Sequence, residues 1–440
     1  MSSLAKSRVQ TVSSLKRIVG RGLLKSTANT VLLAYVYIVL PKLFKRIHRD
    51  VKGKRYDRIW SDITRTLIKA LEFLKFPMSM GRIVAMLNIL TPVVEKVLKR
   101  RNVANPLLAT AIAGFISSMV NYPLFQRHIT KYGRIHSLDF TLILVVRALD
   151  TVISSSVQSI LSKRPKRYNI HLFGDELLFI VSSALIMHAW TFRPEKLPPA
   201  YLRWITSAAN MDDDIINFFR SFEQKRCKYG EECPDEDIFR DFCKKYGKDP
   251  ELGDTKSKEP VPCEIYHGFS SKSCELNALV RFVRGFKFAA RLYGSINLIM
   301  WLVRRGSPKP YIINTVRSSA FLGSFITLMW YVFCMVRSRL SKLFPNVSPN
   351  FWERLAPQIG AYATGFSCFV ESGQRRKELA LFVAPKALGT LVPVKNDNFH
   401  FQIENLAFSL SFAILVSYAR QDPSKVRGLL GKALRVIFAS

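Results

Sequence analysis

Two cysteines and a histidine stand close together in CEIYHGFSSKSC, residues 263 to 274. Thiolate and imidazole are the side chains that hold zinc in structural sites. A zinc ion bound by Cys263, His267 and Cys274 would need a fourth ligand from upstream in the chain. Zinc ribbons and fingers usually carry paired cysteines two residues apart, and that pattern is missing here. We therefore predict no metal and no other cofactor, with this zinc site as the alternative.

The remaining cysteines have no regular spacing. Cys227, Cys233 and Cys243 precede the stretch above and lie in the same polar segment. Disulfides would form if this segment faces an oxidising compartment, whereas reduced, packed cysteines are expected otherwise. Cys334 and Cys368 lie within apolar stretches, where a cysteine is predicted to behave as a small hydrophobic side chain.

The distribution of charge indicates what surrounds this segment. The 440 residues carry a net charge of +34, yet 48% of them are hydrophobic. Basic residues flank long apolar stretches, as at 42 to 58 and 161 to 167, which is typical of loops beside anionic lipid head groups. A nucleic-acid binder would carry its basic residues on a recognisable binding module, which is not found. The predicted partner is the lipid bilayer, not nucleic acid.

Ten apolar stretches approach the roughly 20 residues that a membrane-spanning helix needs. We predict an all-α, polytopic integral membrane protein with about eight to ten membrane helices in two related repeats. The stretches are 29 to 45, 83 to 98, 103 to 125, 138 to 162, 173 to 192, 286 to 303, 313 to 336, 355 to 371, 378 to 393 and 401 to 419.

The repeats are visible as four pairs of similar segments in the same order along the chain, which indicates an ancestral duplication. Each half then supplies about four helices. Gly114 aligns with Gly365, and each has another small residue four positions earlier, a spacing that predicts close helix packing. The aligned pairs are 81 to 87 with 316 to 322, 112 to 118 with 363 to 369, 146 to 152 with 385 to 391, and 174 to 196 with 403 to 425.

Composition divides the chain into four regions. Residues 1 to 28 are basic and contain no acidic residue, as in a mitochondrial presequence or a basic flank of the first membrane helix. Residues 29 to 205 form the first membrane repeat region, and residues 276 to 440 the second. Residues 206 to 275 form an acidic, cysteine-containing segment outside the membrane, in which half of the 32 acidic residues lie.

Four ionisable residues lie within the predicted membrane helices: Arg147, Asp150, Asp175 and Glu404. Such residues are costly in lipid and often mark a transport pathway. Arg147 and Asp150 are three positions apart on one helical face and could instead neutralise each other. Asp175 and Glu404 occupy equivalent positions in the two repeats.

Residues 263 to 305, followed by 317 to 337, resemble the transmembrane protein 135 family, most closely its fungal branch. This family is distantly related to the preprotein translocase subunits of the mitochondrial inner membrane. The resemblance depends on two short motifs and the helices that follow them. The motif residues are Cys263, His267, Ser273 and Cys274, and then Arg317, Ser318 and Ser319.

The resemblance implies a polytopic organelle membrane protein that influences organelle dynamics, peroxisomal lipid metabolism and fat storage. No catalytic residues are defined for the family, so none is assigned. We expect a non-enzymatic protein of the peroxisomal membrane, with the mitochondrial membrane as the alternative. Membrane-protein partners or a second copy of the chain are possible. The main competing function is a carrier or pore for a metabolite, lipid or protein, formed between the two repeats, and a membrane enzyme using His188 is least favoured.

Overall fold

Long apolar segments favour helices in a membrane, because a helix satisfies its own backbone hydrogen bonds. Helices are the only regular elements among the described residues of the computed structural model. The predicted all-α, polytopic membrane class is confirmed. The structure describes residues 2–53, 59–103, 105–130, 134–161, 171–231, 233, 236–422 and 424–438. The side chains of residues 1 to 23 lie outside this description, so a presequence there stays a prediction.

The chain forms two compact units, the first made of residues 1–167 and 394–440. Apolar side chains of its helices enclose a core around Ile83, Tyr122 and Phe408. Tyr122 and Phe408 stack with ring centroids 3.7 Å apart. Its helices are α1 (Ser2–Lys52), α2 (Ile59–Lys69), α3 (Phe76–Arg100), α4 (Pro106–Thr130), α5 (Arg134–Leu161), α16 (Asn398–Gln421) and α17 (Gly428–Phe438).

The second unit contains residues 168–393. Its core is rich in aromatic side chains from both the apolar helices and the acidic segment. Short 3₁₀ turns occur at Pro194–Lys196, Pro250–Gly253 and Gly365–Val370, and a π-helical turn at Val336–Leu340. Its helices are α6 (His171–Phe192), α7 (Pro199–Ala209), α8 (Asp213–Glu223), α9 (Glu236–Lys245), α10 (Cys263–Tyr266), α11 (Cys274–Arg304), α12 (Lys309–Met335), α13 (Ser341–Leu343), α14 (Pro349–Thr364) and α15 (Gly373–Leu391).

These units cut across the two predicted repeat regions, because each repeat contributes its fourth helix to the other unit. Helix α16 packs on α4 and α5 in the first unit. Helix α6, its counterpart in the sequence alignment, packs on α14 and α15 in the second unit. The correspondence extends further, since α1 packs on α3 as α11 packs on α12. Each unit is therefore built from both halves of the duplicated sequence.

Seven helical segments among the described residues are long and apolar enough to span a membrane, below the eight to ten predicted. The stretches at 286–303, 355–371 and 378–393 are helical but do not qualify. Basic residues interrupt α11, α14 is only 16 residues long, and α15 begins with the charged sequence QRRKE. The seven segments are Leu24–Val51, Phe76–Arg100, Pro106–Thr130, His136–Val157, Gly174–Phe192, Lys309–Leu343 and Asn398–Gln421.

The acidic segment folds onto the end of α12. Helices α8 and α9 are strongly amphipathic and bury Phe218, Phe219 and Phe239. Phe219 stacks on Tyr266 of α10 at 5.5 Å and meets Phe333 of α12 edge to face at 5.2 Å. This aromatic packing fixes the short helix α10 beside the C-terminal end of α12 and brings distant cysteines together.

Candidate metal centre

Three elements place cysteines at one point of the second unit. Cys263 is the first residue of α10, and His267 immediately follows that helix. Cys274 is the first residue of α11, whose preceding residue Ser273 caps the helix by accepting a hydrogen bond from the Leu276 amide. Cys334 lies near the end of α12 and is buried. The chain turns back between α10 and α11, so both helix starts meet the end of α12.

The Sγ atoms of Cys263, Cys274 and Cys334 all lie within 4.8 Å of one another. The His267 Nε2 atom lies 3.5 Å from the Cys334 Sγ atom. His267 is only 3% exposed. Three cysteines thus surround one point, and His267 contacts the cluster at Cys334. The sequence grouped Cys263, His267 and Cys274 but not Cys334.

The hydrogen bonding of His267 defines its tautomer. Its Nδ1 atom lies 2.8 Å from the Ser271 carbonyl oxygen, which can only accept a hydrogen bond. Nδ1 must therefore carry a proton, so in the neutral imidazole the lone pair is on Nε2, the atom that faces Cys334. This is the arrangement in which histidine binds a metal, with its other nitrogen held by a backbone carbonyl.

The surroundings of Cys263 and Cys274 favour thiolates. A hydrogen bond from Cys334 lowers the pKa of the Cys263 thiol to about 5 despite its desolvation, and the positive charge of Arg337 adds to the effect. An Arg337 Nη1 atom lies 3.5 Å from the Cys263 sulfur. A hydrogen bond from Cys334 also lowers the pKa of Cys274. Thiolates rather than thiols are the nucleophiles and the metal ligands of cysteine chemistry.

A buried ion pair adjoins the cluster and holds Arg337 in place. The Arg337 Nε atom donates to a Glu353 carboxylate oxygen at 2.6 Å, and both side chains are almost fully buried. The hydroxyls of Tyr229 and Tyr266 donate to the same carboxylate at 2.9 and 2.5 Å. Arg337 also donates to the Val261 carbonyl oxygen. Burial raises the pKa of both tyrosines, so they remain neutral donors.

The serines of the second motif bond inside the second unit. The Ser318 hydroxyl donates to Glu371 at 2.6 Å and accepts from Arg375 at 3.0 Å. The Ser319 hydroxyl donates to the Thr315 carbonyl within α12, and Arg317 is exposed. Ser318 therefore links α12 to Glu371 and to Arg375 of α15, and none of the contacts described here joins these motif residues to the cysteine cluster.

The two aligned glycines lie at close helix contacts. A Cβ atom on Gly114 would meet the backbone of Ala413 at 3.3 Å, within the first unit. A Cβ atom on Gly365 would meet the backbone of Ile180 at 2.5 Å, within the second. Each glycine thus permits the fourth helix of the other repeat to approach closely.

The ionisable residues of the first unit contact partners that are distant in sequence. Asp150 is bound by Arg427, whose Nε atom donates to it at 3.1 Å, and not by Arg147. The Arg147 guanidinium instead lies against Gly428. Glu404 is buried and accepts hydrogen bonds from the hydroxyls of Tyr122 at 3.0 Å and Thr141 at 3.3 Å.

In the second unit the buried acid near the start of α6 is Glu176, one residue after the predicted Asp175. Glu176 forms an ion pair with Arg376 at 3.2 Å, at an angle outside hydrogen-bond geometry. Asp175 is half-buried. In both units an acid near the start of the exchanged helix, Glu404 or Glu176, binds a polar residue of the third helix of the other repeat.

Sequence reasoning missed residues that only distant packing reveals. Cys334 was assigned to the apolar core because it is surrounded by apolar residues in the sequence. Cys227 and Cys233, expected as reduced thiols outside an oxidising compartment, are joined in a disulfide. The sequence offers one signal for the buried ion pair of Arg337 and Glu353, which is that both charged residues lie in or beside apolar stretches.

The chain matches no protein-family model, no curated protein and no solved structure.

Proposed function

We propose that this chain is a non-enzymatic membrane protein of an organelle that acts in lipid homeostasis, with linked effects on organelle dynamics or membrane transport. The peroxisomal membrane is the first proposed location, in line with the resemblance to the transmembrane protein 135 family, and the mitochondrial membrane is the alternative. Membrane-protein partners or a second copy of the chain belong to the same proposal. The observation that carries it is an apolar cavity in the first unit.

This cavity has a volume of about 150 Å³ and lies among α1, α3, α5, α16 and α17. Apolar cavities of this size remain dry and bind small hydrocarbons. The hydroxyl of Thr30, a polar group in the lining, already donates to the Ser26 carbonyl. A cavity within membrane helices that offers only apolar contacts suits the end of an acyl chain. The lining includes Ala34, Phe76, Val84, Leu144, Phe412 and Leu434.

Two acidic residues of the candidate spans, Asp150 and Glu404, are engaged by residues distant in the sequence, which favours this proposal over a carrier. Asp150 is bound by Arg427, and Glu404 accepts hydrogen bonds from two hydroxyls. Groups that line a transport pathway must be available to the transported molecule. The duplicated architecture, common in transporters, is the observation that favours a carrier or pore as the second candidate.

Filling the cavity tests the proposal. Val84→Phe places a ring in the cavity, whereas Val97→Phe changes an exposed position of the same helix and is the matched control. With a photoactivatable palmitic acid in liposomes, we expect labelled peptides from α3, α5 and α16 in the wild type and in Val97→Phe, and several-fold less labelling there in Val84→Phe. Equal labelling of these peptides in all three proteins would contradict acyl binding in the cavity.

The same variants test the role in cells. In cells lacking the chain, wild type and Val97→Phe should restore the neutral-lipid content and Val84→Phe should not, while a C-terminal tag reports localisation against peroxisomal and mitochondrial markers. If Val84→Phe restores the neutral-lipid content at the same protein abundance as the wild type, the proposed role of the cavity in lipid homeostasis is contradicted. A mitochondrial signal alone would replace the peroxisomal location by its alternative.

A further inference from the structure

We propose that Cys263, His267, Cys274 and Cys334 bind one zinc ion, which ties the acidic segment to the ends of two long helices. The sequence predicts no metal, and in its alternative zinc site the fourth ligand comes from upstream in the chain. The structure instead brings Cys334 from the apolar helix α12, far downstream. This inference does not depend on lipid binding in the first unit.

The spacing of the three sulfurs and the distance from Cys334 to His267 are close to those of a tetrahedral site. Zinc–sulfur and zinc–nitrogen bonds of about 2.3 and 2.0 Å place neighbouring sulfurs about 3.8 Å apart, and a sulfur and a nitrogen about 3.5 Å apart. The Cys334 sulfur and the His267 Nε2 atom are 3.5 Å apart. The three sulfurs lie within 4.8 Å of one another, so small rotations of the cysteine side chains would bring the sulfurs to this separation. Zinc binding would in addition require His267 Nε2 to approach Cys263 and Cys274 more closely.

His267 is already oriented as a ligand. The Ser271 carbonyl holds the Nδ1 proton, and the Nε2 lone pair faces the cluster. Metal-binding histidines almost always donate their other ring nitrogen in this way, which fixes the ring and raises its basicity. Three sulfurs and one nitrogen select zinc over magnesium or calcium, because the latter two prefer oxygen ligands.

The buried charges favour an anionic centre. Zinc with three thiolates and a neutral imidazole has a net charge of −1. Arg281 is buried, donates to the Tyr266 carbonyl at 3.0 Å and lies over the Trp330 ring at 4.7 Å. Within the described part of the chain, no carboxylate forms an ion pair with Arg281. A buried guanidinium needs a compensating negative charge, and Arg281 is bound to the carbonyl of Tyr266, the residue before His267.

The ligands give the ion a structural role. Cys263 and His267 belong to the acidic segment, Cys274 begins α11, and Cys334 lies in a candidate span. All four positions are occupied by protein side chains, which is typical of structural and not catalytic zinc. The ion would join the extramembrane segment to the two helices, in addition to the aromatic core that packs α10 on α12.

Zinc content and zinc-edge X-ray absorption of the full chain, purified in detergent without chelators, test the site. We expect one zinc per chain, bound by three sulfurs and one nitrogen at the distances given above. Cys334→Ser should lose most of the bound zinc, whereas Cys368→Ser, which replaces another buried cysteine of the same unit, should retain it.

Three results would overturn the proposal. The first is zinc-free wild-type protein after expression and purification in zinc-supplemented conditions. The second is full zinc content in folded Cys334→Ser, and the third is a disulfide between any two of the three cysteines in peptides mapped without reduction. If Cys334→Ser fails to fold, the absorption spectrum of the wild type decides, because a shell without three sulfurs excludes the site.

Discussion

At the residue scale, the chemistry of this protein depends on which groups are buried together. Arg337 and Glu353 form an ion pair that two tyrosines and a carbonyl complete with hydrogen bonds. A fully bonded network of this kind is tolerated in an apolar core, whereas removal of one charge leaves the other uncompensated. The π-helical turn that follows α12 positions Arg337 within this network.

Glu353→Gln is therefore expected to be strongly destabilising. The neutral amide cannot compensate the buried Arg337 charge, and loss of one partner of a buried pair costs about 3–5 kcal/mol. Thermal or denaturant unfolding in detergent would measure the change. Asp241→Asn, which breaks an exposed contact with Lys244, is the matched control and should change the stability by less than about 1 kcal/mol. Equal stability of both variants would show that the buried pair contributes little.

At the element scale, close approach between helices depends on two aligned glycines, Gly114 and Gly365. Both face the exchanged helix of the other repeat. The alignment predicted that these residues were equivalent but could not show which helix each one meets, because residue spacing defines a face and not its partner. Hydropathy identified the long apolar helices well, but it overestimated the number of membrane spans. Helices α11 and α15 carry basic residues and α14 is short, so these three do not qualify.

Gly365→Ala should weaken the packing of α6 in the second unit. Its methyl group would overlap the Ile180 backbone, and such overpacking costs about 1–3 kcal/mol. Gly174→Ala is a suitable control, since that glycine is in the same unit and a Cβ atom there has no neighbour within 4 Å. Thermal unfolding in detergent should show a lower midpoint for Gly365→Ala and an unchanged or slightly higher midpoint for Gly174→Ala. The reverse order would contradict the contact.

At the scale of the whole molecule, the two compact units are each assembled from both repeats. Helices α6 and α16, the fourth helices of the two repeats, each pack in the unit that holds the first three helices of the other repeat. In a duplicated sequence, each repeat can keep its own fourth helix or exchange it with the other repeat, because equivalent helices present similar faces. The tertiary contacts of α6 and α16 select the exchanged arrangement.

A designed disulfide tests this exchange. A Cβ atom on Gly114 would lie 3.8 Å from the Ala413 Cβ atom, which is the mean separation in disulfides. The pair Gly114→Cys and Ala413→Cys should therefore cross-link on mild oxidation, as detected by peptide mapping. A cross-link from Gly114→Cys to Ala184→Cys, the counterpart of Ala413 in the alignment, would instead indicate that each repeat keeps its own fourth helix.

The sequence by itself determined the helical membrane class, the duplication and the grouping of Cys263, His267 and Cys274, because these depend on composition and local spacing. Only the tertiary structure decided that Cys334 joins them, that Arg427 and not Arg147 binds Asp150, and that α6 and α16 are exchanged. The physical reason is that an apolar helix can bury its face against any of several similar helices. The choice among them follows from packing across the fold, which short segments of sequence do not encode.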